Sequence, residues 1–114
     1  MKKMRLEDVK AYDAPGHFAM TAMRLSGKEE TGAKKFWVGL SHFLPGGGAN
    51  WAYEDNPLEK VYFVLDGEIT VKSKTEEFVL GKWELLYLGP NEGREVMNKT
   101  KKPASMLVVI NYPD

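Results

Sequence analysis

Lys60-Val61-Tyr62-Phe63-Val64-Leu65-Asp66-Gly67-Glu68-Ile69-Thr70-Val71-Lys72 is the stretch that decides the fold. Both halves are rich in β-branched and aromatic residues, which suit a pleated, half-buried surface. Residues 68–72 alternate strictly between polar and apolar, the mark of a strand with one face in a core. Asp66-Gly67 between the halves predicts a tight hairpin turn, because glycine tolerates the positive φ such a turn needs. Strand parity places Lys60, Tyr62 and Val64 on one face.

The same pattern continues outward. Downstream, residues 77–80, 84–88, 94–97 and 105–110 read as strands; upstream, so do 18–25 and 36–44. The polar stretch 26–33 reads as a loop, and Pro45-Gly46-Gly47-Gly48 as a flexible turn that stops the strand before it. No helix follows these glycines, so they are not read as a phosphate cradle. Turn residues recur at intervals of about ten, which suggests a sandwich or barrel. Only the first ten residues hint at helical periodicity, and there is no linker, biased tract or long repeat.

The 114 residues suit one domain. The sequence divides into an N-terminal arm (1–17), a barrel (18–110) and a tail (111–114). Sixteen basic and sixteen acidic side chains give a formal net charge of zero, without the basic excess that nucleic-acid binding requires. The short lysine clusters at Lys2-Lys3, Lys34-Lys35 and Lys99-Lys101-Lys102 lie near acidic residues and read as solvated charge. The chain has no cysteine, so disulfides, thiol catalysis and Cys-bound zinc are excluded. The basic start lacks the apolar core of a secretory leader, and no apolar run nears the ~20 residues of a membrane-spanning helix. A cytoplasmic protein with neither nucleic-acid nor membrane partner is expected.

The order of turns and strands resembles the cupin family. Its first motif runs from a PG-rich turn, through two histidines and a glutamate, to a strand ending in glycine; the counterpart is Pro45-Gly46-Gly47-Gly48, then Asn50 to Lys60, then Val61 to Glu68. Its second motif contains a proline, a turn, a histidine and an asparagine four residues later; the counterpart is Gly89-Pro90-Asn91-Glu92-Gly93-Arg94, ending on Asn98. The resemblance spans residues 36–110. It implies an all-β domain, a single double-stranded β-helix (jelly-roll) barrel, and a homodimer for which residues 18–25 are the candidate contact.

Metal-binding members of that family use three histidines and a glutamate. Here the glutamate position falls on Lys60 and the last histidine position on Arg94. The histidine pair falls on Glu54 and Asn56, or on Tyr53 and Asp55 if the spacing is one longer. Protonated lysine and arginine do not ligate divalent metals, so a site without metal or other cofactor is expected.

Two cations in an apolar barrel suit a carboxylate, phosphate or enolate oxygen. The expected partner is therefore a small anionic metabolite. A desolvated Lys60 could serve as base or Schiff-base amine, and Glu54, Asp55 or Glu95 as acid or base. Alternatively, Lys60 and Arg94 pair with Glu54, Asp55 or Glu95 and fill a barrel without a site. Glu95 should face outward. Trp51 and Tyr53 either clamp a flat or apolar ligand at the rim, form part of a cation–π arrangement, or pack at a loop or dimer contact. Tyr62 faces inward, to fill the core or offer its hydroxyl. His42, on a face with Val38, Leu40 and Leu44, is either a hydrogen-bonded structural group or an acid–base in the pocket. His17, after Pro15-Gly16, reads as surface. Three functions stay open: a metal-independent isomerase, lyase or sugar-type epimerase; a non-catalytic binding or sensor module; and a metal enzyme with an atypical oxygen-ligand site.

Overall fold

The computed structural model describes residues 1–113; Asp114, the end of the expected tail, lies outside the described residues. After a 3-10 turn at Leu6–Asp8 come nine strands: β1 (Ala11–Tyr12), β2 (His17–Ser26), β3 (Phe36–Ala52), β4 (Lys60–Asp66), β5 (Ile69–Lys72), β6 (Glu77–Leu80), β7 (Leu85–Leu88), β8 (Arg94–Met97) and β9 (Ala104–Asn111). Every pairing is antiparallel. The order β6-β5-β8-β3-β9-β4-β7, with β2 and β1 added alongside β3, wraps into a nearly closed barrel.

β3 joins the two halves of that barrel. Its first part, from Phe36 to Phe43, pairs with β9, while Gly48, Ala49 and Ala52 pair with β8. The strand therefore does not stop at Pro45, as the glycines suggest, but bends there and continues. Gly47 and Gly48 allow the bend because backbone packs where side chains would stand. A Cβ at Gly47 would run into the Ala19 carbonyl, and one at Gly48 into the Val96 carbonyl. These glycines are a close-packed crossing, not a flexible turn.

Asp66-Gly67 also differs from expectation. β4 pairs with β7 and β9, whereas β5 pairs with β6 and β8, so the two do not form a hairpin. Gly67 instead turns a corner between the barrel halves. It sits at φ +78°, and a Cβ there would lie 2.7 Å from the Pro103 carbonyl oxygen.

Alternation sets the core as the pattern predicts. β4 points Lys60, Tyr62 and Val64 inward, and β9 points Ala104, Met106, Val108 and Ile110 inward. Phe43, Ile69, Val71 and Val96 close the same core. On β3 the inward parity is Gly39, Ser41 and Phe43, the opposite face from His42.

Candidate functional site

β4 and β8 bring the two sequence-expected cations inside. Lys60 is 1% exposed, Tyr62 3% and Arg94 3%, each on the inward parity of its strand. Arg94 Nε donates to the Tyr62 hydroxyl at 2.8 Å, and Nη1 donates to the Asn50 carbonyl at 2.8 Å. Between the strands lies Tyr53, held at φ +72°. That conformation is strained by about 1 kcal/mol for a residue with a side chain. The Tyr53 ring meets both cations: its centroid is 4.1 Å from Lys60 Nζ and 4.9 Å from Arg94 Cζ. Lys60 Nζ also reaches the Leu58 carbonyl at 3.4 Å, a weak contact.

A cavity of about 380 Å³ opens against this cluster, and Arg94, Tyr62, Tyr53, Trp51 and His17 all line it. Among the described residues, no aspartate or glutamate lines it. Lys60 lies behind Tyr53 rather than on the cavity wall. Burial pushes the Lys60 ammonium below the usual lysine range; the nearby Arg94 charge pushes the same way and Glu92 opposes them. Burial likewise pushes the Tyr62 hydroxyl up, partly offset by Arg94. Tyr62 is thus a neutral proton donor at neutral pH, and it already accepts a hydrogen bond from an arginine.

The expected carboxylates are not brought in. Glu54 forms an ion pair with Lys74 and accepts from Trp51 Nε1 at 3.2 Å, outside the cavity. Asp55 and Glu95 are exposed. Among the described residues neither Lys60 nor Arg94 has an ion-pair partner. His42 also stays out. Its Nδ1 lies 2.8 Å from Ser105 Oγ on the neighbouring strand, and it does not line the cavity. His17, expected on the surface, instead starts β2 and lines the cavity, its Nδ1 2.9 Å from the Pro15 carbonyl.

The family model described as the cupin domain matches residues 39–110. The chain belongs to the cupin family. Along nearly its whole length this cupin is similar to a Mycobacterium tuberculosis protein named beta-D-galactosidase, with 40% identity over 99% of this chain and 96% of that one. Among solved structures, it is similar to the polyketide cyclase RemF from Streptomyces resistomycificus (TM-score 0.84, 22% identity, 97% of this chain and 79% of that one). It is also similar to a sugar phosphate isomerase from Silicibacter pomeroyi (TM-score 0.82, 19% identity, 98% and 76%) and to an RmlC-like cupin from Shewanella frigidimarina (TM-score 0.76, 13% identity, 94% and 86%).

The metal of histidine-bearing cupins does not fit this one. Among the described residues no three of histidine, cysteine, aspartate and glutamate gather where an ion could sit. The charged side chains that β4 and β8 place inside are a lysine and an arginine, which repel a divalent cation. Among the described residues, no helix is long and apolar enough to cross a membrane.

Several site residues escape a linear reading of this cupin. Tyr12, Arg24 and Trp37 line the cavity together with Asn50. Parity is the signal for two of them: Arg24 is in phase with buried Ala22, and Trp37 with Gly39, Ser41 and Phe43. Tyr12 comes from a two-residue strand whose pairing with Met23 and Ala22 has no local sequence mark.

Proposed function

We propose that the barrel binds a small molecule through a carboxylate or phosphate group, with Arg94 as its direct partner, Lys60 adding charge from behind Tyr53, and no metal taking part. One observation carries this reading: two cations are almost fully buried, and among the described residues no carboxylate pairs with either. Buried charge without a counter-charge is costly, and an anionic ligand supplies the missing charge. Arg94 Nη2 makes no hydrogen bond among the described residues, so it is free to join the Tyr62 hydroxyl in receiving an oxyanion. Trp51 and Tyr53 offer aromatic faces for the body of the ligand. If the protein is an enzyme, the chemistry is of the isomerase or lyase kind. Arg94 would stabilise an enolate or carboxylate oxygen, and Tyr62 would give and retake a proton. If it is not, the same pocket serves a binding module or sensor.

The relative named beta-D-galactosidase supports a second reading, in which the ligand is a sugar stacked on Trp51 and Tyr53. Most glycosidases use two carboxylates flanking the bond, and among the described residues no carboxylate lines this cavity. A sugar bearing an acid group satisfies both readings.

The test is a thermal-shift screen of chelator-treated protein with phosphate, simple carboxylates, sugar acids and galactose. Anions should raise the unfolding midpoint, by about 2.7 kcal/mol of stabilisation at a hundredfold excess over Kd, and Lys60→Met should lose most of that rise. A shift with galactose but with no anion would favour the sugar reading. A shift only after adding Fe, Mn, Ni or Zn would overturn the metal-free one.

A further inference from the structure

The cavity has a second cationic end. Arg24, on β2, pairs with Gly39 on β3. Gly39 leaves room for the Trp37 ring to fold over it, since a Cβ there would lie 2.8 Å from Trp37 Cζ3. The Arg24 guanidinium lies against that ring, 5.0 Å from its centroid, and 4.9 Å from the centroid of the Tyr12 ring. Two aromatic faces and a glycine therefore fix a planar cation at the cavity wall. Its Nε is buried without a hydrogen-bond partner, and it has no ion pair among the described residues.

The two ends belong to one space. Arg24, Trp37 and Tyr12 line the same cavity as Arg94, Tyr62 and Tyr53. The Tyr12 hydroxyl, held up mainly by burial and drawn down by Arg24, is also close enough to feel Tyr53. One carboxylate is nearby: Glu30 Oε1, buried and likewise without a hydrogen bond. It sits on the Gly27 side of the Arg24 stem, where a Cβ on Gly27 would lie 2.7 Å from Glu30 Oε1 and 2.8 Å from Arg24 Cδ. Glu30 does not line the cavity. Its charge reaches the Tyr12 hydroxyl, and among the described residues it makes no ion pair with Arg24.

We propose that the cavity takes a ligand with two separated anionic groups, one held at Arg94 and Tyr62 and the other at Arg24 between Tyr12 and Trp37. This rests on the anion-binding reading above and narrows it to dianions, with dicarboxylates as the simplest members. A monoanion leaves one end unmatched. A dianion of the right length answers both arginines, and the aromatic walls between them cover its carbon chain.

The experiment is calorimetric titration with the α,ω-dicarboxylates from malonate to suberate, each compared with the monocarboxylate of equal carbon number. At one chain length the dicarboxylate should bind about tenfold or more tighter than its monocarboxylate, since a second charge-assisted contact is gained. Arg24→Gln should bring that ratio to about one, and Arg24→Lys should keep part of it; matching circular dichroism shows that both variants fold. Monocarboxylate binding with no dicarboxylate advantage at any length, or an advantage that survives Arg24→Gln, overturns the proposal and leaves the Arg94 site standing. Failure of every carboxylate to bind overturns the dianion proposal, and the anion-binding reading falls with it only if phosphate and sugar acids also give no shift in the thermal screen.

Discussion

Arg94 and Asn98 stand four residues apart on β8 and its exit, and both are buried, yet they are treated in opposite ways. Asn98 is 0% exposed and has all its needs met. Its Nδ2 donates to the Phe43 and Lys102 carbonyls, and its Oδ1 accepts from the Thr100 amide and hydroxyl. Its backbone exchanges hydrogen bonds with Gly46 and Gly47, pinning the crossing of β3. Among the described residues Arg94 has two hydrogen bonds and no ion-pair partner, and it lines the cavity. A satisfied buried polar group holds a scaffold together; a buried charge left unmatched keeps a place for something else. One motif therefore carries both the frame and the proposed anion site.

The contrast breaks most visibly at Asn98. Asn98→Leu should cost about 3 kcal/mol in urea unfolding, because buried carbonyls and donors lose their partner at once. A loss below about 1 kcal/mol would mean that Asn98 is not the frame. Arg94→Met should behave differently. Removing it orphans the Tyr62 hydroxyl and the Asn50 carbonyl but relieves Lys60 of a neighbouring charge. The two effects oppose each other, so stability should change by less than about 1 kcal/mol while anion binding falls by about tenfold or more. A variant that unfolds instead would place Arg94 with Asn98, in the scaffold.

The frame was more legible than the site, for physical reasons. Strand alternation is local, so Lys60, Tyr62 and Val64 were readable as one inward face, and the two motifs placed Arg94 and Asn98. What lies outside local pattern is not legible in it. The glycines at 46–48 look like a strand end because glycine usually marks a turn; only the neighbouring carbonyls of Ala19 and Val96 show that Gly47 and Gly48 form a crossing. Asp66-Gly67 has the composition of a hairpin, but a turn cannot reveal which strands pair beyond it. Glu54 sits near the site in sequence, yet Lys74 holds it outside. Arg24 and Tyr12 lie far from both motifs in sequence, and long-range pairing brings them in.

The smallest effect concerns the proton on Lys60, and it sharpens the comparison because Arg94 is one of its causes. Burial and Arg94 both lower its folded-state pKa. As pH rises through that value toward the ordinary lysine range, the folded chain gives up the proton before the unfolded chain does. The unfolded state then binds more protons, so stability increases with pH across that window. Unfolding curves of wild type and Lys60→Met at pH 7 and pH 10 should therefore converge or cross in the wild type's favour at the higher pH. Other groups titrate alike in both proteins and cancel. Adding Arg94→Met to wild type should flatten the gain, since one of the two forces on the ammonium is gone, whereas Glu92→Gln should steepen it. An equal pH response in wild type and Lys60→Met would show that the Lys60 charge is already answered from within the protein, and the unmatched cation that distinguishes this site from Asn98 would reduce to Arg94 alone.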